Sequence, residues 1–243
     1  MEEVRILPNN PVLVLVDTQV IVQAPLRLLI SGMGDALATW FEARACSASN
    51  AKNLRGGSST RSALALAELC YRTILTDGVE ALNAARTLEI TPAFERVVEA
   101  NTLLSGLGFE SCGLAAAHAI HNGLTVAPQT RSFYHGEKVA FGTLVQLVME
   151  ESLPSEIEEV IDYCTQVGLP VTLAQIGLEE MPPEMLEKIA LRAIQTGESI
   201  HNEPFEVSSA QVADAILKAD ELGRSWLTQC KGTSSTSMGF FMR

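Results

Sequence analysis

Apolar residues in this chain recur at helical rather than strand intervals over most of its length. Val139, Leu144, Leu147 and Val148, between Glu137 and Glu151, mark one helix by that spacing. Boundary residues mark others. Pro25 leads into a helix that continues to Ala43, and Ser59 or Thr60 caps a long one reaching Leu75 and stopped near Gly78. Thr91-Pro92 opens a further helix, since proline is tolerated in a first helical turn. Ser155 to Val167 ends at Gly168 ahead of Pro170, and Pro182/Pro183 and Ser208/Ser209 start two more. Only near the start does the pattern change. Val4 to Leu7 and Val12 to Val16 read as short strands split by Pro8-Asn9-Asn10-Pro11. No repeat or heptad is sustained, so the chain reads as an irregular helical domain rather than a solenoid or coiled coil.

Composition narrows the class. At 243 residues the chain can bury a sizeable core as one or two domains. Lys+Arg 17 against Asp+Glu 29 gives a net charge of −12, which argues against nucleic acid or an anionic membrane as partner. No apolar run approaches the roughly 18 residues of a membrane span, and Met-Glu-Glu lacks the basic start of a secretory signal. Five dispersed cysteines without paired spacing read as buried thiols of a reducing compartment, Cys112 included. The acidic run Glu156, Glu158, Glu159, Asp162 reads as a solvated helix face, and residues 231–243, Ser/Thr-rich and then apolar, as a disordered extension.

Chemistry concentrates between Gly106 and Gly142. Three of the four histidines, His118, His121 and His135, lie there within eighteen residues, in a stretch rich in Ala and Gly that permits close backbone approach. His118 and His121, at i and i+3, share a helix face about 4.5 Å apart along the axis, and Asn122-Gly123 reads as the helix stop. Imidazoles at such spacing suit zinc or iron. A small-residue core helix with incidental histidines is the plainer alternative. The carboxylate partner is Asp35 in Gly32-Met33-Gly34-Asp35, which on local sequence alone reads as a helix cap and, beside the histidines, as a ligand. Glu110 is a candidate to orient a ligand histidine. Lys138 reads as an exposed ion pair or a substrate contact, and His201 as a structural or subunit-contact histidine.

These segments resemble the glycerol dehydrogenases, within the superfamily of metal-dependent polyol dehydrogenases, iron-type alcohol dehydrogenases and dehydroquinate synthases. The likeness includes Gly32 to Ala43, Ala63 to Ala67, Glu99 to Thr102, Gly106 to Gly123, His135 to Leu144, Val167 to Pro170 and Gly197 to Asn202. By that resemblance Asp35, His118 and His135 are the metal ligands, and His121 is a catalytic residue near the substrate. Iron-type members carry a fourth ligand, a histidine, where this chain has Thr39. Three protein ligands with open positions is the arrangement of catalytic zinc, so zinc is expected ahead of ferrous iron.

The resemblance implies a mainly α fold. It would be the C-terminal helical metal-binding domain of the dehydroquinate synthase-like fold, preceded by short β-strands left from an α/β dinucleotide-binding domain. Residues 1–24 would be that remnant, 25–230 the catalytic helical domain and 231–243 the extension. No G-x-G-x-x-G follows a strand, and Gly56-Gly57-Ser58-Ser59 reads as a loop and helix cap. Residues for NAD binding are therefore not assigned. The function implied is zinc-assisted, NAD-dependent oxidation of glycerol or a related vicinal diol to the hydroxyketone, by a cytoplasmic homo-oligomer acting on a small polyol. With the glycine-rich loop missing from the chain, weak activity is expected of it alone. The alternative is a non-catalytic zinc-binding helical oligomer. A dehydroquinate synthase-like lyase fits the matched motifs less well.

Overall fold

The computed structural model describes residues 9–236, with side chains through residue 230. Ten α-helices follow in order: α1 Thr18–Val22, α2 Leu26–Ser49, α3 Arg61–Arg86, α4 Pro92–Glu99, α5 Ser105–Cys112, α6 Ala116–Leu124, α7 His135–Met149, α8 Pro154–Val167, α9 Pro183–Ala193 and α10 Ser209–Thr236. Among the described residues there is no sheet, only an isolated bridge between Lys52 and Ser58. The mainly α expectation holds, and the start signals do as they should. Thr60 accepts a hydrogen bond from the Ala63 amide and Thr91 from that of Phe94, each satisfying an otherwise unpaired N–H at a helix start.

Helix α2 is the axis of the molecule. Met33, Ala36, Leu37, Ala38 and Phe41 are fully buried, which covers nearly every side of it, as expected of a helix enclosed by others. α3, α5 and α7 pack around it, α6 lies against α7, and Phe94, Phe141, Ile74 and Ile120 fill the space between. Helices α2 and α7 touch at backbone level. A Cβ on Gly136 would lie 1.8 Å from the Ser31 carbonyl oxygen, so only glycine fits there. At Gly142 a Cβ would meet the Ala117 carbonyl oxygen at 2.4 Å, so α7 and α6 also approach closely. Between α4 and α5 the helix widens into a π turn, Ala100–Leu104, a feature frequent beside functional sites.

Several expected boundaries move. Val12–Val16 forms no strand: the segment is irregular and exposed, since no described neighbour offers an edge to pair with. The other expected strand, Val4 to Leu7, lies outside the described residues. Gly78 does not stop α3, which runs on to Arg86, and α6 ends one residue after Gly123 without a left-handed glycine cap. At Gly78 the missing Cβ admits the Tyr163 ring, and at Gly123 it admits the Ile189 carbonyl of α9. Glycine here answers to packing rather than to termination. α2 runs past Ala43 to Ser49, so Asp35 is interior to it and caps nothing. At the other end α10 continues to Thr236, so the expected extension begins inside a helix; residues 237–243 lie outside the description.

Candidate metal centre

Three helices deliver three donors to one point. Asp35 projects from the middle of α2, His118 from the first turn of α6, and His135 is the first residue of α7. Asp35 Oδ1 lies 3.3 Å from His118 Nε2 and 3.1 Å from His135 Nε2, and the two Nε2 atoms are 3.2 Å apart. Four ligands at about 2.0 Å around a tetrahedral ion are about 3.3 Å from one another, so these separations match the edges of a zinc site. Asp35 Oδ1 is buried yet has no aligned hydrogen-bond donor. An acceptor left so is costly unless something cationic faces it. The residues therefore fit a divalent ion, and among the described residues theirs is the one cluster of this kind.

Charge favours the same reading. Burial opposes ionisation of Asp35, but polar contact with His118 and His135, and the charge of those rings, hold its carboxyl below the usual range. Burial also opposes a charged His118; the Glu42 and Asp35 carboxylates outweigh it and raise the imidazole to about 10. A metal ion would take the place of those protons, because both Nε2 atoms must be bare to ligate.

Each ligand histidine is held from behind. His118 Nδ1 is 2.7 Å from Oε2 of Glu42, a fully buried carboxylate about two turns beyond Asp35 on α2. Glu42 Oε1 also accepts from the backbone amides of Ala115 and His118. Glu203 accepts from the Ala116 amide and Gln146 from that of Ala117. The first turn of α6, whose own N-cap Ala115 has no side chain to offer, is thus capped by three distant residues. Burial and the nearby Glu150 push the Glu203 carboxyl up to about 8. His135 rests on His121 instead, with Nδ1 of His135 3.1 Å from Nε2 of His121.

The ligands open onto a cleft of about 780 Å³ whose walls include Thr39, Ser105, Phe109, Asn122, Arg192 and Glu198. Thr39 stands one turn beyond Asp35, buried and bonded to Ser105 at 2.9 Å, so it supplies no ligand to the centre. His121 is brought to the site but lies behind it: it is buried, and it is not among the cleft walls. Burial, then the charges of His135 and His118, lower its imidazole to about 3 and keep it neutral.

The remaining candidates sit elsewhere. Glu110 pairs with Arg55 and Asn10 and touches no histidine, so the residue that orients a ligand is Glu42. Sequence reasoning missed Glu42, although it recurs seven residues after Asp35 on the same helix face. Lys138 is buried rather than exposed and donates to the Thr130 carbonyl. His201 is the exception: it is exposed on the wall of the same cleft, with its Nε2 3.0 Å from the Ile194 carbonyl oxygen. Cys46, Cys70, Cys112 and Cys164 are buried, and burial raises each thiol, so they are unreactive. In the acidic run, Glu156 pairs with Arg44 and Glu159 accepts from Tyr71, so that face is partly engaged.

No family model matches the chain. Among curated proteins it is 55% identical to a glycerol dehydrogenase of Escherichia coli O6:H1 over 224 residues, which is 92% of this chain and 61% of that protein. The crystal structure of glycerol dehydrogenase from Schizosaccharomyces pombe superposes with a TM-score of 0.91 at 41% identity, covering 93% of this chain and 58% of that one. An iron-containing alcohol dehydrogenase from Thermococcus thioreducens shares the fold alone, with a TM-score of 0.61 at 18% identity. The chain thus spans about 60% of the length of the relatives it matches. It is a homologue of the glycerol dehydrogenases and has the helical C-terminal domain of the iron-type alcohol dehydrogenase and dehydroquinate synthase-like fold.

Proposed function

We propose that this chain holds one zinc ion with Asp35, His118 and His135, and supplies the metal-and-polyol half of an NAD-dependent glycerol dehydrogenase. One observation carries the reading: three donors from three helices converge within 3.1–3.3 Å around an acceptor that lacks a donor, at the floor of a cleft. Bound zinc would polarise a substrate hydroxyl and lower its pKa. The chain's own residues set the rest. Asp35 brings one negative charge to the centre, and Glu42 and His121 keep the two Nε2 lone pairs aimed at it. The cleft walls, with Asn122, Arg192 and Glu198 opposite Phe109, offer polar partners to a small polyol and one apolar side. In the reaction proposed, a secondary alcohol gives its hydride to NAD⁺ and its hydroxyl proton to solvent, yielding the hydroxyketone and NADH.

Residues 25–230 are proposed as the metal-binding unit. The assembly is proposed to be a homo-oligomer, and the location cytoplasmic. The exposed apolar run Val12 to Val16 favours association. No single helix among the described residues is long and apolar enough to cross a membrane. The second reading is a zinc-holding helical protein without turnover of its own: the described residues carry the candidate metal centre, and none of them is assigned to NAD. Elemental analysis with a glycerol-and-NAD⁺ assay separates the two. About one zinc per chain with negligible NADH supports the second reading, and turnover near 10 per second, roughly the median for enzymes, supports the first. Absence of any transition metal in chelator-free protein at neutral pH overturns both.

A further inference from the structure

The polar groups behind His135 form a line out to the cleft wall, and its direction is set from the far end. Arg192 donates to Glu198 Oε1, which holds that side chain as a carboxylate able only to accept. The group facing its other oxygen, 2.8 Å away, must then be the Asn122 amide nitrogen, which leaves the Asn122 carbonyl pointing inward. That carbonyl is 3.1 Å from His121 Nδ1, so Nδ1 carries the hydrogen. A neutral imidazole with hydrogen on Nδ1 has a bare Nε2. His121 Nε2 therefore accepts from His135 Nδ1, 3.1 Å away, and His135 in turn is left with a bare Nε2 facing Asp35 and His118.

We propose that Asn122 and Glu198 are positioning residues that fix the tautomer of His121 and, through it, present the His135 Nε2 lone pair to the metal. The inference rests on the zinc-binding reading above. It assigns His121 a part that needs no contact with substrate, in keeping with its burial behind the ligands. The anchor is firm. Ser199, beside Glu198, donates to the Ala115 carbonyl, and Asn202 donates to that of Leu114, so this segment is fastened to the start of α6. Glu198 itself is largely covered, with 14% of its side chain exposed.

The test uses the full chain, whose four histidines make nitrogen-15 NMR of the imidazoles tractable. In the zinc-free parent, His121 is expected to show a single tautomer with hydrogen on Nδ1. Asn122→Leu removes both halves of the link. It should give a mixed or reversed His121 tautomer and weaken zinc binding roughly 10–100-fold, as loss of such outer partners does elsewhere. Asn122→Asp keeps an acceptor facing His121 but turns a carboxylate oxygen against Glu198, so it is combined with Glu198→Gln, whose amide can donate to it and still accept from Arg192. This double variant should retain the tautomer with zinc affinity nearer the parent's. Should Asn122→Leu fail to fold, Glu198→Met replaces it, at the cleft wall and outside the core, with the same tautomer change expected. The proposal is overturned if the cut variant keeps the parent's tautomer and binds zinc within twofold of it. It is equally overturned if the Asn122→Asp, Glu198→Gln double variant is as damaged as Asn122→Leu in both readouts. Because the tautomer is read without zinc, failure of the metal reading and failure of this line of bonds are told apart.

Discussion

His118 and His135 reach the same point with different support behind them. His118 leans on a single charge, the fully buried Glu42, which also caps the helix that carries it. His135 leans on a neutral ring, a neutral amide and only then a carboxylate, at the wall of the cleft. A buried carboxylate against a ring nitrogen is a strong, charge-assisted contact, and removing one partner leaves the other unsatisfied in a medium that cannot solvate it. A chain of neutral groups is weaker at each link but extends to where a bound molecule could reach it. One arm is built into the fold, and the other is open to the cleft.

Cutting either ligand should have the largest effect. His118→Ala or His135→Ala is expected to take the zinc content of purified protein from about one per chain to none retained, read by elemental analysis. Two ligands remain in each case, so equal loss from both would show that the arms differ in support and not in ligation. Gly136→Ala tests the platform beneath them. Its new Cβ collides with the Ser31 backbone at 1.8 Å, and separating α2 from α7 should cost about 3 kcal/mol or more in denaturant unfolding. Stability within 0.5 kcal/mol of the parent, about the noise of a surface change, would mean the two helices can part freely.

Glu42→Gln sharpens the contrast itself. The amide oxygen can still accept from the Ala115 and His118 backbones, but its NH₂ then faces His118 Nδ1 and demands a lone pair there. That turns the ring over in protonation, placing hydrogen on the Nε2 meant for metal. Zinc affinity should fall by about 100-fold, the upper end for outer-partner changes and more than for Asn122→Leu. An equal or smaller loss would remove the distinction between the arms.

The smallest effect concerns the neighbour of Glu42 at the start of α6. The Glu203 carboxyl is raised from 4.5 to about 8 in the folded chain, by burial first and then by Glu150 and Glu42. A raised folded value means the native state holds a proton that the unfolded chain releases. Its contribution is thus complete below about pH 4.5 and is lost as pH rises towards about 8. Glu203→Gln should flatten that decline and leave the variant about 1–2 kcal/mol more stable than the parent at pH 8, read as a shift in the denaturation midpoint. An unchanged pH profile would place the titration elsewhere.

Helical class and most helix starts were legible in the sequence, because each has a local mark, whereas Asp35, His118 and His135 were named together only through the resemblance to the glycerol dehydrogenases. Threonine and proline announce a helix start through one hydrogen bond or one fixed dihedral, and histidines three residues apart announce a shared face. The errors came from residues whose reason is a distant partner. Gly78 resembles a stop until Tyr163 is seen against it. Lys138 and Glu110 resemble site residues until their true neighbours are known.

By itself, then, the sequence determined which segments are helices, through spacing within a turn or two, and carried the resemblance that named Asp35, His118 and His135 as candidates. Tertiary structure alone decided that three helices meet closely enough for their donors to stand 3.1–3.3 Å apart. It also decided that Glu42 rather than Glu110 supports His118, and that His121 stands behind His135. Such choices depend on contacts between residues tens of positions apart, which follow from how helices pack and leave no periodicity along the chain.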